Sequence, residues 1–195
     1  MTQLLTPTTE LEAVNAMLQS IQESPVSSVT NPGSVDAVTA IAILRETSRA
    51  IQSNGYSFNT EYNYPLAANG SGYVPIPANC LEVDMDPNGP DASCDIVQRG
   101  QRLYDRYNRT YAIGRTVKVE MIIMLDFEEL PQTARHYIAM SAARIFQGRQ
   151  IGSTSLDGFT AKDEMNALVA FKRQENRNAD HNVLASSAAG RVLRR

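Results

Sequence analysis

The stretch VKVEMIIMLDFEELPQTARHYIAMSAARIFQGR, residues 117–149, changes its hydrophobic period in mid-course. Val117, Val119, Met121, Ile123 and Leu125 fall on alternate positions, the two-residue repeat of a strand buried on one face. From Ala134 onward the pattern is different: Ala134, Tyr137, Ile138, Ser141, Ile145 and Phe146 recur three and four residues apart, the stripe of an amphipathic helix. At the junction, Leu130-Pro131 places proline in the first helical turn, where its missing N–H costs nothing, and Gly148 marks the helix end. Asp126, Glu128 and Glu129 then sit at the positive end of the helix dipole, which accounts for the acids without catalysis. His136 falls beside Tyr137 on or near the core edge.

Working outward, the same two periods divide the rest of the chain. Thr9-Glu10-Leu11-Glu12 fits a capping box ahead of Leu11, Val14, Leu18 and Ile21, and Ser24-Pro25 ends that run. Ser34 caps a second helix whose face is Ala37, Ile41, Leu44, Ser48 and Ile51, with Asn54-Gly55 as its stop. Between the helices, Tyr56, Phe58, Thr60, Tyr62, Tyr64 and Leu66 alternate and are expected to share one strand face; Leu81, Val83 and Met85 alternate again. IVQRGQRLYD, residues 96–105, reads as a hairpin around Gly100. After residue 153, Thr160 with Asp163 is expected to cap a fourth helix carrying Met165, Leu168 and Val169.

Helices that flank strands instead of alternating with them disfavour a doubly wound parallel sheet. The expected fold class is α+β: an amphipathic bundle of about four helices from residues 1–55 and 126–178, an inserted antiparallel β section at 56–125, and an extended C-terminal tail at 179–195. The last stretch, HNVLASSAAGRVLRR, has no core pattern and is expected to order on a partner.

Composition narrows the function classes. With 43% hydrophobic and 20% charged residues the chain is an ordinary globular protein. Its longest apolar runs, AIAIL and MIIML, are too short to cross a bilayer, and MTQLLTPTTE has neither a basic start nor an apolar signal core, so the chain is expected to stay where it is made. Cys80 and Cys94, without a secretory signal, read as reduced structural thiols. Charge is divided unevenly: residues 1–98 hold two basic side chains against eleven acidic, residues 99–195 sixteen against ten. That asymmetry suits a subunit packing head-to-tail on copies of itself or bridging two partners.

Three residue groups carry candidate chemistry. Pairs among Asp84, Asp86, Asp126, Glu128 and Glu129 would serve a glycan hydrolase, with unequal carboxyl pKa values as the requirement. Asp84, Asp86, Asn88, Gly89 and Asp95 partly match a twelve-residue calcium loop, but prolines flank Asn88-Gly89 and a plain turn explains the same residues. Arg99, Arg102, Arg106, Arg109, Arg115 and Lys118 interleave with Tyr104, Tyr107 and Tyr111, a mixture that holds phosphates while stacking bases and that protein interfaces also favour. Strand alternation would send these side chains to both faces, and the chain as a whole is acidic; both favour protein contact over a DNA-contacting module. No phosphate-binding glycine loop, GxSxG or HExxH is present, and two dispersed histidines and two cysteines make no zinc motif.

Five stretches taken together carry a resemblance: ELEAVNAMLQSIQESPVSSV at 10–29, AIQSNGYSFNTE at 50–61, IPANCLEVD at 76–84, VQRGQRLYDRYNRTY at 97–111 and LDFEELPQTARHYIAMSAARIFQGRQIGS at 125–153. In this order they resemble the tail tubular protein A family, the head-to-tail adaptors, or gatekeepers, of short-tailed bacteriophages. The resemblance implies a structural virion protein without catalysis or cofactor. It implies a dodecameric ring between the portal protein and a tail nozzle of the tail tubular protein B type, with the tail fibre as a further contact. Genomic DNA would pass the lumen without sequence-specific binding. Assembly in the host cytoplasm and residence in the virion tail follow. Carried over by region, Arg99, Arg102, Tyr104, Arg106, Tyr107, Arg109 and Tyr111 are candidates for neighbour or nozzle contact. Val183, Leu184, Arg191, Val192, Leu193, Arg194 and Arg195 are candidates for portal contact, though beyond Val183-Leu184 little of the tail matches the family.

Overall fold

A computed structural model describes residues 7–85, 91, 94–152 and 154–185, with side chains in the last segment over 160–178. The chain divides into two compact units, cut after Ile51 and after Leu125. One is helical and the other is built of antiparallel strands.

The helical unit contains α1 (Glu10–Ser20), most of α2 (Val35–Gln52), α3 (Gln132–Gln150) and α4 (Thr154–Ala185). The Thr9 box forms as read: Thr9 Oγ1 accepts from Glu12 N at 3.2 Å and Glu12 Oε2 accepts from Thr9 N at 2.9 Å. α1 buries Ala13, Val14, Met17 and Leu18, while Leu11 and Ile21 are only half-buried. Ser34 Oγ accepts from Ala37 N at 3.1 Å, and all five positions of the expected α2 face are buried. α3 packs against both α1 and α4. Its buried face holds Ala134, Ile138, Ala142 and Phe146, but Ile145 stays partly exposed.

Several expected details differ. The acids of DFEELP do not start α3: they form a separate 3-10 turn, Phe127–Glu129, and Pro131 is the N-cap residue of the helix that follows. Its extended backbone, φ −57° and ψ 146°, breaks the path between turn and helix. Gly148 lies inside α3, and the stop is Gly152, whose φ of +65° supplies the left-handed residue past the end. α4 begins six residues before Thr160 and continues to Ala185, so residues 179–185 are helical. Among its described side chains Ala167 and Phe171 are buried, the latter stacked on Tyr137 with ring centroids 5.7 Å apart; Met165 and Val169 are exposed. Ser141 and Arg144 both hold Glu164, at 2.7 and 2.9 Å, fixing the rotation of α4 against α3.

The β unit is a small sandwich. One layer is the three-stranded sheet β1 (Thr60–Leu66), β5 (Val117–Ile123), β2 (Cys80–Met85), antiparallel in that order; the other is the hairpin β3 (Ile96–Gln98), β4 (Leu103–Asp105). The alternation of β5 is realised at Val117, Val119 and Met121, which are buried, while Ile123 is half-buried and Leu125 lies past the strand end. They meet Leu66 and Val83 from the same sheet, Ile96 and Leu103 from the hairpin, and Val74 and Ile76 from the connecting segment. Gln52 closes the unit: its side-chain amide donates to the Leu125 carbonyl at 3.1 Å and accepts from the Leu125 N–H at 2.9 Å.

The Tyr56–Leu66 alternation does not make one buried face. Residues 56–59 form a turn, where buried Asn59 donates to the carbonyls of Gln52 and Ile123. The register of β1 on β5 shifts between Glu61 and Tyr64, and Asn63 takes φ +55° there. That bulge rotates the pleat, leaving Tyr62 61% exposed and Tyr64 partly so on an edge strand.

Candidate functional site

The hairpin brings the arginines and tyrosines together. Tight reversal at Gly100, φ +64°, pairs Val97 with Tyr104 and donates the Arg99 N–H to the Arg102 carbonyl at 3.0 Å. Cross-strand partners point to the same side, so Arg99, Arg102 and Tyr104 share the outer face while Ile96 and Leu103 turn into the core. The expectation of two faces is thereby corrected for these three residues, because the turn sets the pairing as well as the strand period.

A contiguous ladder results. The Arg99 guanidinium lies 3.7 Å above the Tyr104 ring; Tyr104 meets Tyr111 edge-on at 4.8 Å; Arg102 lies 4.4 Å from the Tyr111 centroid and 5.3 Å from that of Tyr73. Tyr73 was invisible to sequence reading, since its loop GSGYVPIP has no strand pattern. Asn69 positions it by accepting from both the Ser71 and Tyr73 N–H groups at 3.0 Å, and the following residues run alongside β4, with Leu103 N donating to the Val74 carbonyl at 3.0 Å.

The other basic residues are placed differently. Arg106 pairs with Asp95 at 3.4 Å on the surface. Tyr107, 85% exposed, and Arg109, at φ +55°, occupy the turn after β4. That turn is tied by Asp105, whose carboxylate accepts from Asn108 N at 2.9 Å and Asn108 Nδ2 at 2.8 Å; these bonds hold its pKa below the usual carboxylate value. Arg115 leaves the ladder: Nη1 donates to Asp91 at 2.6 Å and Nη2 to Cys94 Sγ at 3.1 Å. Asp91 also accepts from the Lys118 N–H at 2.9 Å, the main cause of its lowered pKa, with the Arg115 contact adding to it.

Geometrically, the ladder is a rigid cationic surface whose side chains are already ordered. Each cation–π contact at an exposed site is worth about 0.5–1 kcal/mol, and stacked arginines lose less freedom on meeting a partner than free ones. Base stacking requires a bare ring face, and the Arg99 guanidinium covers one face of Tyr104.

Residues 11–181 match the family model described as tail tubular protein. The chain belongs to the tail tubular protein family. It is a structural protein of the bacteriophage tail, part of the virion. It is similar to Tail tubular protein A of Klebsiella phage KP34, at 26% identity over 186 residues covering 95% of this chain and 96% of that one.

Two of the DFEELP acids of this tail tubular protein bond the backbone. Glu129 Oε2 accepts from the Asp126 N–H at 3.2 Å, closing the 3-10 turn, and Glu128 Oε1 accepts from the Glu10 N–H at 3.1 Å, the start of α1. His136 is exposed and does not edge the core. Its neighbour Arg135 is buried instead, donating Nε to the Leu130 carbonyl at 2.7 Å, Nη1 to the Thr8 carbonyl at 3.0 Å and Nη2 to the Glu128 carbonyl. Sequence reading missed it because an arginine at a stripe position looks like a break in the pattern.

Cys80 and Cys94 are free thiols, and burial raises the Cys80 pKa. Of the calcium-loop residues, Asp86, Asn88 and Gly89 lie outside the described residues, as do Arg191, Val192, Leu193, Arg194 and Arg195. Among the described residues no cluster of three His, Cys, Asp or Glu could hold a metal ion, and no helix is long and apolar enough to cross a membrane. Val183 and Leu184 fall on the last turns of α4.

Proposed function

We propose that this tail tubular protein is the head-to-tail adaptor of its phage: a ring of twelve copies seated on the portal, carrying the tail nozzle on its far side. The genome passes through the lumen without sequence-specific contact, and the protein works by geometry, with neither cofactor nor catalysis. The ring is assembled in the host cytoplasm. The observation that carries this reading is the family match over residues 11–181, joined to a preorganised Arg99–Tyr104–Tyr111–Arg102 surface of the kind interfaces favour. Support also comes from the acids of DFEELP, two of which hydrogen-bond the chain's own backbone at Asp126 and Glu10. The β unit supplies neighbour or nozzle contacts through its Arg-Tyr surface, and the C-terminal residues from Val183 onward meet the portal.

Co-sedimentation with portal rings of the same phage tests this. The full chain is expected to pellet with the portal in fixed stoichiometry, whereas a chain lacking residues 183–195 keeps its helical circular dichroism and stays in the supernatant. A full chain that ignores the portal would sink the adaptor reading.

A further inference from the structure

The β unit carries opposite charge on its two outer faces. The hairpin layer presents Arg99 and Arg102 in the tyrosine ladder. The outward side of the three-stranded sheet presents acids: Asp84 of β2 is in register with Glu120 of β5, and Glu82 with Ile122. Together with Met85 these residues line a shallow cleft of about 260 Å³. Glu82 and Asp84 are exposed, and Lys118 lies further along β5, beyond the end of β2. The two faces cannot neutralise one another within a subunit, because the core of Val83, Val117, Val119, Met121, Ile96 and Leu103 stands between them.

We propose that the Arg99–Arg102–Tyr104 face of one copy seats on the Glu82–Asp84–Glu120 face of the next. This contact rests on the ring reading above and specifies how neighbouring β units meet. Head-to-tail association needs two different, complementary surfaces on each subunit, whereas a twofold dimer uses one surface twice. It also needs them nearly back to back: in a ring of twelve the two contact surfaces depart from antiparallel by only about 30°. The two sides of a sandwich meet that requirement. Arginines clamped over tyrosine rings approach carboxylates with little further ordering, and the half-buried Met85 and Ile122 at the cleft add a little apolar area for the ring edges.

Charge reversal tests the pairing. One variant carries Arg99→Glu with Arg102→Glu, the other Glu82→Arg with Asp84→Arg, and ring formation is read by sedimentation velocity with and without the portal ring. Each variant alone sets like charges face to face and is expected to lower ring yield at least about tenfold. A one-to-one mixture restores it to within about twofold, because each altered face then meets an altered partner of opposite sign. The milder Arg99→Gln with Arg102→Gln carries the first expectation should a reversal unfold. Variants that form rings as well as the parent, a mixture without rescue, or a loss confined to nozzle or DNA binding would each overturn the contact while leaving the ring reading intact. A parent chain that forms no ring even on the portal would overturn both.

Discussion

Arg135 is the polar residue whose removal the helical unit should tolerate least. It is 9% exposed, and its guanidinium spends three donors on the carbonyls of Leu130, Glu128 and Thr8, tying the 3-10 turn and the segment before α1 to the first turn of α3. Charge-assisted hydrogen bonds contribute about 1.5–3 kcal/mol each. Water recovers part of that at the Thr8 and Glu128 carbonyls, which are nearer the surface, so Arg135→Ala is expected to cost about 3–5 kcal/mol. Arg135→Lys keeps a charge and some donors but loses the planar fork, and should cost about half as much. The assay is equilibrium urea unfolding followed by far-UV circular dichroism, with the midpoint and slope fitted separately. A loss under about 1 kcal/mol for the alanine variant would refute the claim that this side chain anchors DFEELP.

Three further outcomes follow from other parts of the fold. Gly55→Ala should lower stability by about 2 kcal/mol, since Gly55 sits at φ +69° and an added methyl would lie 2.7 Å from Ile122 Cδ1; thermal unfolding reads it. Phe171→Ala should cost about 3–5 kcal/mol and loosen α4 first, visible as faster amide exchange in residues 160–178; unchanged exchange would contradict the packing described. Asp91 and Asp105 are held below the usual carboxylate value, so their stabilisation is complete above about pH 4 and fades as the pH falls through the lowered values. An Asp91→Asn, Asp105→Asn chain should therefore show a shallower stability loss below about pH 4 than its parent, and an identical acid limb would remove these two groups from the account.

Local chemistry was legible in the sequence wherever one signal acted alone. The Thr9–Glu12 box, the Ser34 cap, the five-residue face of α2 and the β5 alternation needed only spacing and residue type. What spacing could not give were features set by tertiary pairing. A bulge at Asn63 turned an apparent buried face outward, and the pairing of β3 with β4 put Arg99, Arg102 and Tyr104 on one side. Tyr73 entered the ladder from a loop, and Arg135 sat buried because three carbonyls awaited it. The DFEELP acids were read as the start of α3, yet the element they build is a 3-10 turn of its own, because the extended Pro131 separates it from the helix.

The proposed ring on the portal is open to direct observation. Electron microscopy of the purified chain mixed with the portal ring of the same phage, beside the chain alone, measures it directly. A second ring stacked coaxially on the portal with twelvefold symmetry is expected. Portal rings that remain bare at saturating chain would contradict the ring reading.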